Sequence, residues 1–479
     1  MTRFLLAWLF LVCAAAQAAP EETWMSVTLD GRKIGHMLNR REVLADRVVT
    51  TQEMNLSIER AGITVALEVG ETHEETKTGK PLAFRTRSRM SGVESTSEGT
   101  VDAQGGIQVT SSVGGQSQSK TATWPAGALF SEGLRLSAIE HGLKPGTRYD
   151  SLAFQALNLD AFPLTTTVQP AEYVDLPGGR RQLVRVDREL KLPGLPLAST
   201  DWMDQKYNVH KVTMAQLGLK LEVLACDKAC ALAPNQPGDS LQQALVPAPR
   251  SLQRSELGKP LRYRLSARDR GTAPSFPVTG EQQVARSGTS SVVTVSPQAR
   301  AGSEEPPVAA DSQPNAWLQS GASEIVRLAN EASPGDKSPG ERMRDLEKFV
   351  FGYIDKKGLS VGYASALETA KTRQGDCTEH ALLLAALGRA RGIPTRIATG
   401  LAFVESFGGA ERVFVPHAWV QAWVDGRWQS FDAALGQFDS GHIALGVGDG
   451  DPWRFFSGVG TLGNLRLDAV EEAAAAPAK

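Results

Sequence analysis

The sequence predicts an α+β protein in which an antiparallel β domain precedes a domain of helices packed on an antiparallel sheet. From Trp24 to about Leu224, apolar and polar residues alternate between turn signals, which is typical of strands with one buried face. After about residue 315 the apolar residues recur at helical spacing, and strand-like alternation returns after Pro394. The change of period divides the chain into two parts of different architecture.

Length and charge limit the classes of function. The chain has 479 residues, of which 41% are hydrophobic and 22% are charged, so two or three globular domains are expected. The formal net charge of −2 gives no basic surface for nucleic acid. We therefore expect no nucleic-acid partner, and nothing in the composition demands a cofactor.

The first residues are typical of an export signal. Arg3 supplies a positive charge, Phe4 to Ala15 form an apolar run, and Ala16-Gln17-Ala18 form a small-residue cleavage site. No later stretch approaches the roughly 20 apolar residues of a transmembrane helix. We expect residues 1–18 to be a signal peptide, with the remaining chain exported, periplasmic and without a transmembrane segment.

Residues 19–230 are predicted to form the antiparallel β domain. Asp30-Gly31 is a two-residue hairpin signal, and Ser131 to His141 is a candidate helix that Gly142 ends. A curved sheet, an open barrel or a sandwich all fit the pattern. No cluster of polar residues in this domain can be assigned to chemistry, so its predicted role is to bind a partner or to position the second domain.

The rest of the chain divides by composition. We predict a linker with a small β segment at 231–315, a helical and β domain at 316–468, and a disordered Ala-rich tail at 469–479. The second domain opens with helical spacing over 316–332. Ser338-Pro339-Gly340-Glu341 then signals the start of another helix.

The cysteines separate into a pair and a single residue. Cys226 and Cys230 are close in sequence and, in an oxidising compartment, are predicted to form a local disulfide. Two cysteines are too few for a zinc site without other ligands. Cys377 is left as an unpaired thiol in an exported chain.

Cys377 lies in a segment that predicts the start of a helix. Asp376 can cap the helix, and Glu379 three residues later completes a capping box. Free N–H groups at a helix N-terminus favour the thiolate over the thiol. Gly392 and Pro394 end the helix. We therefore interpret Cys377 as a nucleophile, and the alternative is a buried structural cysteine.

A predicted hairpin brings a histidine and an aspartate together. With Asp425-Gly426 as a two-residue turn, Val424 faces Arg427, and His417 becomes the diagonal neighbour of Asp432. Diagonal neighbours on two paired strands lie about 7–8 Å apart, within reach of a side-chain hydrogen bond. A bulge would break this register.

These three residues fit nucleophilic catalysis. Cys377 would attack a carbonyl, His417 would move the proton, Asp432 would orient the imidazole, and the N–H of Cys377 would stabilise the oxyanion. A zinc site of the same three residues lacks a short-spaced anchor pair, and no metal is predicted. His380 is interpreted as structural, and His442 has no identifiable partner.

Tryptophans surround the predicted hairpin. Trp423 and Trp428 face each other in its register and are predicted to stack. Trp419 is expected to line a substrate groove.

Four successive motifs resemble the bacterial transglutaminase-like domain. They span about residues 320–450, in the family's order: Arg373-Gln-Gly-Asp-Cys377-Thr-Glu-His380, Arg389-Ala-Arg-Gly-Ile-Pro-Thr-Arg396, Pro416-His417-Ala-Trp-Val420 and Trp428-Gln-Ser-Phe-Asp432. The resemblance implies an α+β, papain-like fold with Cys377, His417 and Asp432 as catalytic triad. Ala433 departs from the Pro that often follows the aspartate. The family's second oxyanion donor has two candidates, Tyr363 and Gln374.

The expected function is that of an exported thiol acyl-transfer enzyme. It would act on peptide or isopeptide amide bonds of a peptide or protein in the cell envelope through a thioester acyl-enzyme, as a transglutaminase-like cross-linker or as a peptidase or amidase. The alternative is a non-catalytic envelope binding or assembly factor with a vestigial triad. No cofactor is expected in either case.

Overall fold

The computed structural model has the predicted α+β architecture. It describes residues 19–60, 63–90, 93–113, 116–156, 159–191, 197–216, 219–236, 244–268, 273–297, 305–358, 363–450 and 465–473. The predicted signal peptide at 1–18 lies outside these residues. Among the helices that are described, none is long and apolar enough to cross a membrane.

The N-terminal part is a single sheet of fifteen strands. Its order runs from β8 at one edge down to β1, which pairs with β15, and then down to β9 at the other edge. Neighbouring strands are antiparallel apart from the parallel pair β9–β10. The strands are β1 (Glu21–Leu29), β2 (Arg32–Val43), β3 (Arg47–Arg60), β4 (Ile63–Thr76), β5 (Pro81–Met90), β6 (Val93–Val101), β7 (Gly106–Val113), β8 (Gln116–Thr123), β9 (Ala128–Leu129), β10 (Arg148–Gln155), β11 (Asp160–Leu176), β12 (Gly179–Leu190), β13 (Leu197–Met203), β14 (Val209–Gln216) and β15 (Leu219–Ala225).

An aromatic cluster joins the two ends of this sheet. Phe84 of β5 lies 6.0 Å, between ring centroids, from Phe154 of β10, and Phe130 packs against both rings. The predicted helix is present as α1 (Ser131–His141) and starts directly after Phe130. The sheet is therefore curved, so that strands distant in sheet order share one core.

The structure does not show the predicted disulfide between Cys226 and Cys230. Both cysteines are free. Cys230 lies in α2 (Lys228–Ala231), a short helix whose cap, Asp227, accepts a hydrogen bond from the Cys230 amide. Burial, together with the neighbouring Cys230, raises the pKa of the Cys226 thiol to about 12. The two thiols therefore interact with each other in the structure, and the disulfide between them stays a prediction.

The C-terminal part has a five-stranded sheet with β23 and β22 at its centre. The order is β16-β23-β22-β25, and β24 also pairs with β23. The strands are β16 (Val246–Pro247), β22 (Thr395–Phe407), β23 (Ala410–Val424), β24 (Arg427–Phe431) and β25 (His442–Gly448). β23 and β24 form the predicted hairpin, with Val424 opposite Arg427. Asp425 and Gly426 both have positive φ angles, as a type I′ turn requires.

Helices pack against this sheet around one apolar core. These helices are α4 (Ser323–Ala332), α5 (Pro339–Tyr353), α6 (Ala366–Thr372) and α7 (Cys377–Ala390). Two short elements precede them in the chain, namely α3 (Arg254–Leu257) and a 3₁₀ turn at Ala309–Asp311. α5 starts at Pro339 with the predicted capping box. α4 begins seven residues later than predicted, because the Asn315 side chain accepts the amides of Trp317 and Leu318 and holds that stretch in a turn.

A second, four-stranded sheet packs against the first. It has the order β18-β19-β17-β26, with β17 (Leu261–Ala267), β18 (Gln282–Ser287), β19 (Ser290–Val295) and β26 (Leu465–Glu472). The predicted linker therefore contributes strands to both C-terminal sheets. Residues 469–472 complete β26 rather than a disordered tail, because β17 pairs with them and Val470 is buried. Residues 474–479 lie outside the described part.

A two-stranded parallel pair, β20 (Lys356–Lys357) and β21 (Gln374–Gly375), precedes the cysteine helix.

Candidate active site

Cys377 is the first residue of α7 and is partly exposed. The predicted capping box is present. The Asp376 carboxylate accepts the Thr378 amide at 2.8 Å, and the Glu379 carboxylate accepts the Asp376 amide at 2.8 Å. A cap of this kind contributes about 1 kcal/mol to the helix and fixes its first turn. The sulfur is thereby held at the positive end of the helix dipole.

Glu379 also ties the helix start to the preceding loop. Its side chain is fully buried, and its second carboxylate oxygen accepts the Ala364 amide at 2.8 Å. Burial and the nearby Asp376 carboxylate raise the pKa of Glu379 to about 8. The position before the cap must be glycine, because a Cβ on Gly375 would lie 2.2 Å from the Glu379 Cβ.

The body of α7 is anchored at both ends. Residues 381–387 are buried in the core beneath the sheet. Near the C-terminal end, buried Arg389 donates to the hydroxyl and the carbonyl of Thr395 and to the carbonyl of Gln313. Arg389 therefore fixes the C-terminal end of α7 to the start of β22.

His417 and Asp432 form the hydrogen bond that the hairpin register predicts. His417 Nε2 lies 2.8 Å from Asp432 Oδ2. Both side chains are buried, with 4% and 1% of their surface exposed. Within the described part of the chain, no hydrogen bond engages His417 Nδ1. Because the ionised Asp432 carboxylate accepts the hydrogen bond, Nε2 of His417 carries the proton and Nδ1 is the unprotonated nitrogen of the neutral ring.

The Asp432 carboxylate is saturated with donors. Its Oδ1 accepts the amides of Ala434 at 2.7 Å and Leu435 at 3.2 Å, while Oδ2 faces the imidazole of His417. Burial works to raise the pKa of Asp432, but the histidines that contact it hold that pKa well below its usual range. Asp432 is thus a fixed anion at neutral pH.

A second carboxyl group supports the Asp432 backbone. The Asp432 amide donates to Glu347 Oε1 of α5 at 2.6 Å. Burial, reinforced by the charge of Asp432, raises the pKa of Glu347 to about 7. Glu347 therefore titrates close to physiological pH.

His442 was missed by sequence reasoning, which found no partner for it. Its Nε2 lies 3.0 Å from Asp432 Oδ2, the oxygen that also contacts His417. β25 places it there by pairing with β22, which puts His442 opposite Ala402. A strand that joins from a distant part of the sequence leaves no local signal. The signal that could have been used is the alternation of larger apolar residues with Ala and Gly over residues 443–447, which is typical of a strand.

Cys377 and His417 are brought to neighbouring elements. α7 packs against β23, which carries His417, and Cys377 packs against the same core as Ala418. The two side chains therefore lie on adjoining elements of the domain.

His380, which was predicted to be structural, lies one turn after Cys377 and contacts the backbone of its own helix. Its Nδ1 contacts the Asp376 carbonyl oxygen at 2.6 Å, within the first turn of α7. Burial lowers the pKa of His380, and the charge of Asp432 acts on it in the opposite direction. The start of α7 therefore lies within electrostatic range of Asp432.

The three predicted wall or oxyanion residues have different outcomes. Trp419 does not line a groove: it is 2% exposed and packs behind the site, its ring 5.3 Å from that of His442. Tyr363 is buried, and its hydroxyl donates a hydrogen bond to the Gly450 carbonyl at 2.8 Å. The hydroxyl proton is therefore already used in that bond and does not point to an oxyanion. Gln374 lies in β21 and is half-buried, three residues before Cys377. The predicted Trp423–Trp428 pair is confirmed, with ring centroids 5.4 Å apart.

The donor atoms of His417, Asp432 and His442 lie within 4.8 Å of one another, close enough to share a metal ion. Each of these atoms already takes part in a hydrogen bond of the His–Asp–His cluster. We interpret the cluster as a hydrogen-bonded unit of two histidines and an aspartate.

Residues 326–433 match the family model described as the transglutaminase-like superfamily. This match confirms that the chain contains the domain that its motifs resemble. Cys377, His417 and Asp432 all lie within the matched residues, whereas His442 lies beyond them. No curated protein matches the chain.

Solved structures are similar to parts of the chain. A beta-barrel-like protein of unknown function from Brucella abortus is 13% identical, covers 44% of this chain and 97% of its own, and has a TM-score of 0.35. A candidate cysteine protease from Cytophaga hutchinsonii is 15% identical, with coverages of 44% and 87% and a TM-score of 0.29. A candidate protease from Parabacteroides distasonis is 12% identical, with coverages of 74% and 69% and a TM-score of 0.20.

Proposed function

We propose that this protein is an exported thiol acyl-transfer enzyme that acts on amide bonds through Cys377, His417 and Asp432. The observation that carries the proposal is the 2.8 Å contact between His417 Nε2 and Asp432 Oδ2, beside the helix that Cys377 opens. A nucleophile, a base and a group that orients the base are the parts that covalent acyl transfer requires.

The reaction begins with attack of the Cys377 sulfur on an amide carbonyl carbon. His417 Nδ1 takes the thiol proton, and the C–S bond forms as the carbonyl oxygen becomes an oxyanion. Collapse of this intermediate breaks the C–N bond, and His417 returns the proton to the leaving amine. The products are a free amine and a thioester on Cys377.

A second nucleophile then resolves the thioester. His417 removes a proton from water or from a primary amine, the new C–O or C–N bond forms, and the C–S bond breaks to regenerate the thiol. Water gives hydrolysis, whereas an amine such as a lysine side chain gives cross-linking. The Cys377 amide at the helix N-terminus, with the Gln374 side chain as a second donor, would stabilise the oxyanion in both halves.

Export sets the class of substrate. The signal-like residues 1–18 motivate a site in the cell envelope, where peptide and isopeptide amides of proteins and cell-wall fragments are the available acyl donors. The acyl donor is therefore proposed to be a peptide or protein amide, and no cofactor takes part.

Alkylation of Cys377 tests whether the thiol is activated. Iodoacetamide labelling is followed by peptide mass mapping from pH 4 to 9, because mapping separates Cys377 from Cys226 and Cys230. Labelling well below the free-thiol value of about 8.5 is expected, and His417→Ala should abolish this low-pH reactivity. His210→Ala is the matched control, since His210 contacts an aspartate, Asp204, in the N-terminal sheet. Onset near 8.5 in the wild type would refute the proposal.

A second assay distinguishes the two acceptors. The protein is incubated with a glutamine-containing peptide and a fluorescent primary amine, and with unlabelled peptide alone. Amine incorporation identifies cross-linking, whereas conversion of glutamine to glutamate, or cleavage of the peptide, in the reaction without added amine identifies hydrolysis. Both activities should disappear in Cys377→Ala. Full biological function in that variant would instead identify a binding or assembly factor.

A further inference from the structure

His442 is a buried histidine that contacts the site but takes no part in the proposed reaction. Only 2% of its surface is exposed. Its Nε2 lies 3.0 Å from Asp432 Oδ2, and its Nδ1 lies 3.1 Å from Asp439 Oδ1. The imidazole is therefore held between two carboxylates, on opposite sides of the ring.

The chemistry of these contacts fixes the protonation state of His442. An ionised carboxylate can only accept hydrogen bonds, so both ring nitrogens must donate, and only the imidazolium ion has two N–H groups. The Asp439 amide also approaches Nδ1, at 3.4 Å. The contacts of Nδ1 to the Asp439 carbonyl oxygen and to its carboxylate Oδ1 are shorter, at 3.1 Å each. Although burial opposes it, the bonds to Asp432 and Asp439 raise the pKa of His442 to about 9.

The charged surroundings of His442 come from several elements. Asp432 follows β24, Asp439 lies in the loop before β25, and His417 lies on β23 with its ring centroid 5.6 Å away. Glu347 of α5 is within electrostatic range, and its high pKa leaves it partly protonated at neutral pH. Tyr263 donates to Ser440 and, because burial raises its pKa, stays neutral.

We propose that His442 is a positioning residue of this site: as a buried cation it shares Asp432 with His417 and extends the reactivity of Cys377 to lower pH. This inference rests on the proposed function. Asp432 divides its negative charge between two imidazoles, and its Oδ2 is held in place from both sides. The charge of Asp432 acts on His380, one turn after Cys377. A cation bound to Asp432 offsets that negative charge at the start of α7 and so favours the thiolate of Cys377 over the thiol.

The substitution His442→Gln removes the charge but keeps a side-chain N–H that can reach Asp432. The pH dependence of Cys377 alkylation is measured in the wild type, in this variant and in His210→Gln as the matched control. We expect the onset of alkylation to move up by about one pH unit in His442→Gln and to stay unchanged in His210→Gln. A merely structural role would lower the amount of folded protein without moving the onset.

A second variant keeps the inference testable if His442→Gln does not fold. Asp439→Asn keeps His442 and removes only the carboxylate on its far side, so it should move the onset in the same direction by a smaller amount. Independently, ¹⁵N NMR of the histidine rings should show both nitrogens of His442 protonated at pH 7.

The outcomes separate the two proposals. Low-pH alkylation in the wild type that is unchanged in a folded His442→Gln or Asp439→Asn variant overturns this inference alone. A neutral His442 ring at pH 7 does the same. Wild-type alkylation that begins only near 8.5 overturns the proposed function, and this inference with it.

Discussion

At the scale of single residues, the site depends on how the Asp432 carboxylate is satisfied. Two amides and two imidazoles contact its oxygens, at 2.7–3.2 Å. A buried anion is tolerated only when such partners replace its hydration. By fixing the carboxylate, the same partners also orient the ring of His417, so the stability of the site and the geometry on which the proposed reaction depends have one physical origin.

The substitution Asp432→Asn should therefore cost both stability and reactivity. It leaves the positive charge of His442 buried without its main counter-ion, and loss of one partner of a buried pair costs about 3–5 kcal/mol. Urea unfolding at pH 7 measures this loss. Asp204→Asn is the matched control, because Asp204 contacts His210 in a less buried setting, and a smaller loss is expected there. Equal losses in the two variants would contradict the special role of Asp432.

Glu347 makes the stability of the protein depend on pH near neutrality. Its pKa of about 7 in the folded state lies above the ordinary value of 4.5, so the folded protein binds this proton more tightly than the unfolded chain does. The stability that this group contributes is fully present below pH 4.5 and is lost as pH rises through 7.

Glu347→Gln should remove this pH dependence. The amide oxygen can still accept the Asp432 N–H, but the side chain no longer acquires a buried charge. Relative to the wild type, the free energy of unfolding should rise by about 1–3 kcal/mol between pH 5 and pH 8. Urea denaturation at the two pH values measures this difference. A constant offset between variant and wild type would show that Glu347 does not titrate in this range.

At the scale of elements, the start of α7 depends on the close approach of Gly375 to Glu379. In Gly375→Ala the new Cβ would lie 2.2 Å from the Glu379 Cβ, so the capping box must open. We expect a loss of about 3 kcal/mol in urea unfolding and loss of low-pH alkylation of Cys377.

Gly352→Ala is the matched control for this prediction. Gly352 lies in α5, where an added Cβ meets no atom within 4 Å, and alanine is the better helix former. We expect this variant to be at least as stable as the wild type. Comparable losses in both variants would show that the glycine-to-alanine change, and not the contact with Glu379, is responsible.

How well each element could be predicted depends on how local its interactions are. The capping box at Asp376 and the turn at Asp425-Gly426 involve residues within three positions of one another, so their sequence signals are sufficient. The register of β23 and β24 then follows from the turn and gives the contact between His417 and Asp432.

His442 and Trp419 could not be placed in the same way. β25 pairs with β22 across an irregularity between Thr399 and Gly400, which changes the register at the site. A Cβ on Gly400 would lie 2.0 Å from the Ile443 carbonyl oxygen, so the two strands approach closely at that point. Burial of Trp419 depends on Ala444 of β25 and on Phe438 of the loop before that strand.

At the scale of the whole molecule, the strands of the predicted linker at 231–315 are part of the candidate active domain. Gln282 of β18 bonds to both the amide and the carbonyl of Ala444, two residues after His442. Tyr263 of β17 donates to the Ser440 carbonyl at 2.6 Å, in the loop that carries Asp439. The four-stranded sheet therefore holds β25 and its preceding loop in place.

A comparison of two fragments tests this organisation. Fragment 244–479 retains β16 to β19, and we expect cooperative thermal unfolding and the Cys377 alkylation profile of the full chain. Fragment 316–479 resembles the predicted domain, but it exposes apolar side chains such as Phe403 and Phe414 and leaves β26 without its partner β17. It should unfold without cooperativity, bind a hydrophobic dye, and label only near the free-thiol value of about 8.5. A cooperative fragment 316–479 with low-pH alkylation would show that the earlier strands are dispensable, because the site would then be complete without Gln282 and Tyr263.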